Sequence, residues 1–158
     1  TIWERFTEKF PDWKLHLYGA KEGDYYEKIQ KLVEEKNLEN SILFKGKTND
    51  VASELNKAKL LLMTSEQECF PMVILEAHSC GAPVVSFDAP TGPRNIIHHN
   101  KDGILVDNNN EDEFVEILEN ALISTEIPLA STNRPTQTTS SVFFSSPTGL
   151  NRVESTPI

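Results

Sequence analysis

The sequence predicts an α/β fold in which a parallel sheet is covered by helices on both faces. Three observations carry this. Five short apolar runs recur between residues 14 and 106, helical patterns separate them, and strand and helix alternate throughout that span. Such alternation implies parallel strands joined by right-handed crossovers. The result is a Rossmann-like layer arrangement, in which ligands bind outside the carboxyl ends of the strands.

The elements follow in order. TIWERFTEKF, at the start, has the charge pattern of an amphipathic helix, and KLHLYG (Lys14 to Gly19) is the first strand. DYYEKIQKLVEEKN then sets Tyr26, Ile29, Leu32 and Val33 at helical spacing. SILFKG (Ser41 to Gly46) is a second strand, DVASELNKA a short helix, and KLLLMTS (Lys59 to Ser65) a third strand. The loop EQECFP leads into the helix MVILEAHSC, closed by Gly81, which suits the left-handed position after a helix end. Pro71 is expected just inside the start of that helix, where its missing N–H costs nothing. APVVSF (Ala82 to Phe87) and GILV (Gly103 to Val106) are the last two strands, with PRNIIHH read as a helix between them and EDEFVEILENALIS after them. The acids of EDEFVE suit the positive end of a helix dipole.

The pattern changes at Ser124. From there to Ile158 the chain holds 14 Ser/Thr and 4 Pro, and VFF at Val142 to Phe144 is its strong apolar cluster. Few apolar side chains cannot offset an ordering entropy of ~1–2 kcal/mol per residue. Two regions are therefore expected: a Rossmann-like domain over 1–124 and a Ser/Thr/Pro-rich, disordered tail over 125–158. Because the chain opens inside a helix and such domains open on a strand, at least one strand and its loop are expected upstream.

Composition narrows the function. The 158 residues contain 38% hydrophobic side chains, enough for one core. Fifteen Lys and Arg against 24 Asp and Glu give a net charge of −9, which repels nucleic acid. Cys69 and Cys80 have neither the number nor the spacing of a disulfide framework or zinc site, so a reduced, cytoplasmic setting is expected. No apolar run approaches the length of a membrane span.

Glu68 and Glu76 carry the chemistry. Glu68 falls in the loop between the third strand and its helix, and Glu76 about one turn into that helix, so both lie near one strand end. The free N–H groups of Met72 and Val73 at the helix start form a place for a phosphate oxygen. Carboxylates are poor phosphate ligands but good acceptors for adjacent sugar hydroxyls, so the combination suggests a nucleotide sugar. The plainer reading makes Glu68 an exposed acid and sets Met72, Glu76 and Ser79 in an outward stripe. Against it stands the apolar neighbourhood of Glu76, where an unpartnered carboxylate is costly.

The run SEQECFPMVILEAHSCGAPVVSFDAPTGPRNII, Ser65 to Ile97, resembles the glutamate-x7-glutamate segment of retaining glycosyltransferases of the GT-B fold, the family 4-like "group 1" enzymes. The similarity extends through PDWKLHLYG, ILFKGKTNDV and KDGILVD to the helix from Glu111, in the family's order, and so covers roughly residues 1 to 124. It implies the C-terminal, donor-binding half of such an enzyme. By the resemblance Glu68, the catalytic candidate, holds donor-sugar hydroxyls, and Glu76 holds the ribose. Cys69 belongs to the same donor-binding loop, backbone N–H groups at Phe70, Met72 and Val73 face sugar and diphosphate, and the loop at Thr48 to Asp50 borders the base. The implied donor is UDP-linked, used as a substrate with no cofactor and no metal. The acceptor, a glycan or lipid-linked molecule, would bind an N-terminal domain preceding residue 1, as would the donor-diphosphate cations. The resemblance also implies that these residues alone do not turn over and that the full enzyme associates peripherally with a membrane.

Two positions depart from the family pattern. Cys69 replaces the usual Gly after the first glutamate, where close backbone approach is needed, and Asn95 replaces a usual Glu. Elsewhere plainer roles are expected: His78, His98 and His99 fit no metal spacing, Arg94 suits a surface salt bridge more than a phosphate contact, and Trp3 and Trp13 are core or edge residues. Competing functions are a nucleotide-sugar epimerase of the same architecture and a non-catalytic α/β interaction domain of receiver type. The early strands end in YGAK and KGKT, without the acidic cluster and phosphorylatable Asp that a receiver needs.

Overall fold

The structure, a computed structural model, describes residues 1–123 and 141–145. It is a Rossmann-like α/β fold. The strands are β1 (Lys14–Tyr18), β2 (Ile42–Gly46), β3 (Leu61–Met63), β4 (Val84–Phe87), β5 (Ile104–Val106) and β6 (Ser141–Ser145). The helices are α1 (Ile2–Lys9), α2 (Asp24–Glu35), α3 (Val51–Lys57), α4 (Met72–Ser79) and α5 (Glu111–Ile123). One sheet holds all six strands in the order β2-β1-β6-β3-β4-β5, and every pairing is parallel.

Strand side chains alternate between the two faces, and the core divides accordingly. Leu60, Leu62, Val85 and Phe87 join Trp3, Phe6, Phe114 and Leu118 beneath α1 and α5, with Val33 of α2. Leu61, Met63 and Val84 turn the other way and meet Leu55 of α3 and Val73, Ile74 and Ala77 of α4. Burying each such side chain contributes about 1.5–3 kcal/mol, so helices on both faces are the only way to use strands that are apolar on both sides. α1 starts with a capping box, the Thr1 hydroxyl accepting from the Glu4 N–H. It is tied to α5 by Lys9 to Glu119 at 2.8 Å and Arg5 to Asp112 at 2.8 Å.

Three expectations change. Pro71 is the residue before the first turn of α4, one position earlier than expected. PRNIIHH forms only a 3-10 turn at Pro93–Asn95. There the chain is drawn back to the sheet: Ile96 and Ile97 are buried, and Asn100 adopts φ 62, which ends any helical path.

The larger correction concerns the tail. A wholly disordered 125–158 does not hold, because residues 141–145 form β6, inside the sheet between β1 and β3. Val142 pairs with Leu15, Phe143 with His16 and Leu61, and Phe144 with Leu17 and Leu62. A central strand satisfies backbone groups on two neighbours at once, and Val and Phe suit the extended backbone. That gain offsets the ordering cost that composition alone suggests. The remainder of 124–158 lies outside the described residues.

β6 also occupies the slot at which the strand order reverses. In the doubly wound order 3-2-1-4-5-6 the first strand holds the third slot, and here the last described strand holds it. From β1 the chain steps outward to β2, then crosses back to β3 on the other side of that slot and continues to β5. The order of strands thus reverses between β1 and β3.

Candidate functional site

All strands are parallel, so the loops after β1, β2, β3, β4 and β5 open on one edge. The β3–α4 loop, residues 64–71, leaves the sheet beside the reversal point and carries Glu68, Cys69 and Phe70. Glu68 is half-buried and Cys69 exposed, while Phe70 and Met72 are each 57% exposed. Two large apolar side chains thus stand in solvent at the head of α4.

α4 turns one face to the core and one to solvent. Val73, Ile74 and Ala77 are buried, whereas Met72 and Ser79 are exposed and Glu76 is half-buried. The apolar run around Glu76 therefore supplies the opposite face of its helix, and its carboxylate stands at the boundary between core and solvent. The Ile74 N–H bonds to the Pro71 carbonyl at 3.0 Å, so the N–H groups of Met72 and Val73 lie ahead of the first bond of the helix. Gly81 closes α4 with φ 63, and the Ala82 N–H returns to the Ala77 carbonyl at 2.8 Å.

Thr48 and Asp50 occupy the loop after β2. The Asp50 N–H bonds to the Thr48 hydroxyl at 3.1 Å, and the Asp50 carboxylate accepts from the Ser53 N–H at 2.9 Å as the cap of α3. Both side chains thus shape their own loop. In the sheet order β2 is three strand spacings from β3, roughly 14 Å at ~4.8 Å per spacing. The Thr48–Asp50 loop and the Glu68 loop accordingly stand on opposite sides of the strand reversal.

α3 is fixed to the sheet between them. The buried Tyr18 hydroxyl, at the end of β1, donates to Glu54 Oε2 at 2.5 Å, and Lys57 Nζ donates to Glu54 Oε1 at 2.8 Å. Burial, then the bond to Glu54, pushes the Tyr18 phenol well above its ordinary value. The bonds from Lys57 and Tyr18 hold Glu54 below its own.

Arg94 forms a two-point pair with Asp88, Nε at 2.8 Å and Nη2 at 2.7 Å, which is the salt-bridge role the sequence suggests. His98 bonds to Asp102 through Nδ1 at 2.8 Å and its backbone N–H at 2.7 Å, and His99 Nδ1 accepts from the Leu105 N–H. For Asp102 burial is the largest influence and raises the pKa, but the His98 bonds and the nearby His78 and His98 bring it to a net lowering. Among the described residues no three His, Cys, Asp or Glu side chains group to hold a metal. Ser65, two residues after β3, is buried, and its Oγ lacks a hydrogen-bond partner among the described residues. Thr91 and Gly92 on the β4 loop lie against Glu68, and sequence reading gave them no role. Their signal was the small TG pair ahead of Pro93, a turn mark that says nothing about what the turn touches.

Comparison with known proteins supplies the remaining finding. The family model described as "Glycosyl transferases group 1" matches residues 1–134. A poly(ribitol-phosphate) alpha-N-acetylglucosaminyltransferase of Staphylococcus aureus is 36% identical over 117 residues, covering 72% of this chain and 23% of the relative. A lipopolysaccharide 1,6-galactosyltransferase of Escherichia coli is 37% identical over 120 residues, covering 73% of this chain and 33% of the relative. Among solved structures, HepE of Anabaena, in complex with UDP-glucose, superposes with a TM-score of 0.68 at 26% identity, over 77% of this chain and 34% of that one. The chain thus spans about a quarter to a third of the length of these relatives.

Proposed function

Since this chain belongs to the group 1 glycosyl transferases, we propose that it forms the donor-binding part of an enzyme that transfers a sugar from a nucleoside diphosphate sugar to a glycan or lipid-linked acceptor, with retention of anomeric configuration. The proposed donor is UDP-linked, in keeping with the UDP-glucose held by HepE. The observation that carries the reading is the Glu68-to-Glu76 segment, a carboxylate-bearing loop and an uncapped helix start at the carboxyl edge, beside the reversal of strand order. In this reading Glu68 accepts hydrogen bonds from the sugar and Glu76 from the ribose. The N–H groups of Phe70, Met72 and Val73 face the sugar and diphosphate, and Thr48 to Asp50 border the base on the other side of the strand reversal.

The chemistry follows from that placement. When the bond from the anomeric carbon to the phosphate oxygen breaks, its electrons leave with the diphosphate and positive charge develops on the sugar ring. The start of α4 stabilises the growing negative charge, and Glu68 fixes the ring while the acceptor hydroxyl oxygen bonds to the same face and gives up its proton to the departing diphosphate oxygen. Catalytic turnover and acceptor recognition belong to the whole protein, and the chain alone is expected to bind donor weakly, with ~mM affinity. The family match favours transfer over the epimerase and interaction-domain readings.

Substitution separates the two acids. Glu76→Gln is expected to weaken binding of UDP and of the UDP-sugar alike, since ribose is common to both. Glu68→Gln should spare UDP and lower transfer by the full enzyme roughly 10²-fold. Titration of both ligands against each variant tests this division, and equal loss of UDP affinity in the two variants contradicts it.

A further inference from the structure

Glu68 sits on a loop, and a loop holds a carboxylate in place only if something holds the loop. The β4 loop supplies that support. The Thr91 hydroxyl lies 2.8 Å from the Glu68 carbonyl and 2.7 Å from the Pro90 carbonyl, so its one proton is shared between the two loops. Thr91 itself adopts φ 69, a left-handed conformation that a β-branched residue rarely takes. Such a backbone persists where its surroundings impose it. The imposing contact is Asn95, whose Nδ2 donates to the Thr91 carbonyl at 2.8 Å from the end of the 3-10 turn. Gly92 completes the fit: a Cβ there would stand 2.7 Å from Glu68 Cβ, 3.1 Å from Pro71 Cδ and 3.2 Å from the Glu68 carbonyl. No side chain fits between the two loops, and the Arg94–Asp88 pair braces the other end of the turn.

We propose that Thr91, Gly92 and Asn95 are positioning residues that fix Glu68 for the sugar half of the donor. This rests on the donor-site reading of Glu68 and extends it to residues that touch no ligand in that reading. Asn95, a departure from the family pattern at the sequence level, thereby acquires a task as a donor to the turn that holds Glu68. An acid at this position presents no N–H to the Thr91 carbonyl when ionised.

The test uses the whole chain and the variants Thr91→Val, Thr91→Ser, Asn95→Asp and Gly92→Ala. In the ligand-free state, backbone order parameters from NMR at Glu68, Cys69 and Phe70 are expected to fall in Thr91→Val and Asn95→Asp and to recover in Thr91→Ser, with α4 unchanged. UDP affinity should stay within twofold of the unsubstituted chain. The extra affinity for UDP-glucose over UDP should fall roughly tenfold in Thr91→Val, Asn95→Asp and Gly92→Ala. Unchanged order at 68–70, or equal loss of affinity for both ligands, overturns the proposal. Failure of the unsubstituted chain to bind either ligand overturns the donor-site reading instead, and the ligand-free order parameters then decide whether the turn holds the loop.

Discussion

At the residue scale, the loop proposed to bind the donor carries one exposed thiol. Cys69 follows Glu68 on the β3–α4 loop and is exposed, whereas Cys80 is half-buried at the end of α4 with its Sγ 3.8 Å from the Ala52 carbonyl. UDP-glucose at saturating concentration is expected to slow alkylation of Cys69 by iodoacetamide several-fold and to leave Cys80 unaffected. Mass spectrometry of timed samples reads both rates in one experiment. Equal rates at Cys69 with and without ligand would remove this loop from the site. The placement of Glu68 on a loop and of Glu76 on the helix after it was legible in the sequence, because the strand–loop–helix pattern is local. Thr91 and Gly92 were not, because their partner is Glu68, on a different loop, and contacts between loops leave no periodicity.

At the scale of elements, α3 and α4 cover the same face of the sheet, and each depends on a local device. Gly81 ends α4 with φ 63, where an L side chain costs about 1–2 kcal/mol. Gly81→Ala should therefore lower stability by about 1 kcal/mol in urea unfolding, and no change would contradict the left-handed closure. α3 is held by the Tyr18–Glu54 bond. The Tyr18 pKa is raised above its ordinary 10.0, so its contribution is complete below pH 10 and is lost as pH rises above that value towards the raised one. Glu54, lowered from its ordinary 4.5, contributes above that value and loses its contribution as pH falls through the depressed one. Tyr18→Phe should cost about 1 kcal/mol at neutral pH and flatten the decline in stability above pH 10. Unfolding midpoints across that range check it, and an alkaline decline identical in both proteins would contradict the assignment. The sequence read most elements well because apolar periodicity is local. It missed the shortening of PRNIIHH because Ile96 and Ile97 are claimed by the core, which no window of sequence displays.

At the scale of the whole molecule the sheet is completed by its last described strand. β6 lies between β1 and β3, so its removal leaves two strands with unpaired backbone in the middle of the sheet. A chain ending at Ile123 should lose stability on the order of 3 kcal/mol or more, read from urea unfolding. An unchanged midpoint would show that β6 is not needed for the fold. This strand was hidden in the sequence because VFF is flanked by serines and its pairing partners, Leu15 to Leu17 and Leu61 to Leu62, lie far away along the chain. The claim that joins all three scales is that the fold brings a donor site to the carboxyl edge beside the strand reversal. Titration of the chain with UDP-glucose, followed by backbone amide shifts, tests it most directly. The expected shifts saturate at millimolar ligand and cluster at Glu68 to Val73, Glu76 and Thr48 to Asp50. No shifts at that concentration, or shifts confined to the opposite edge of the sheet, would contradict it.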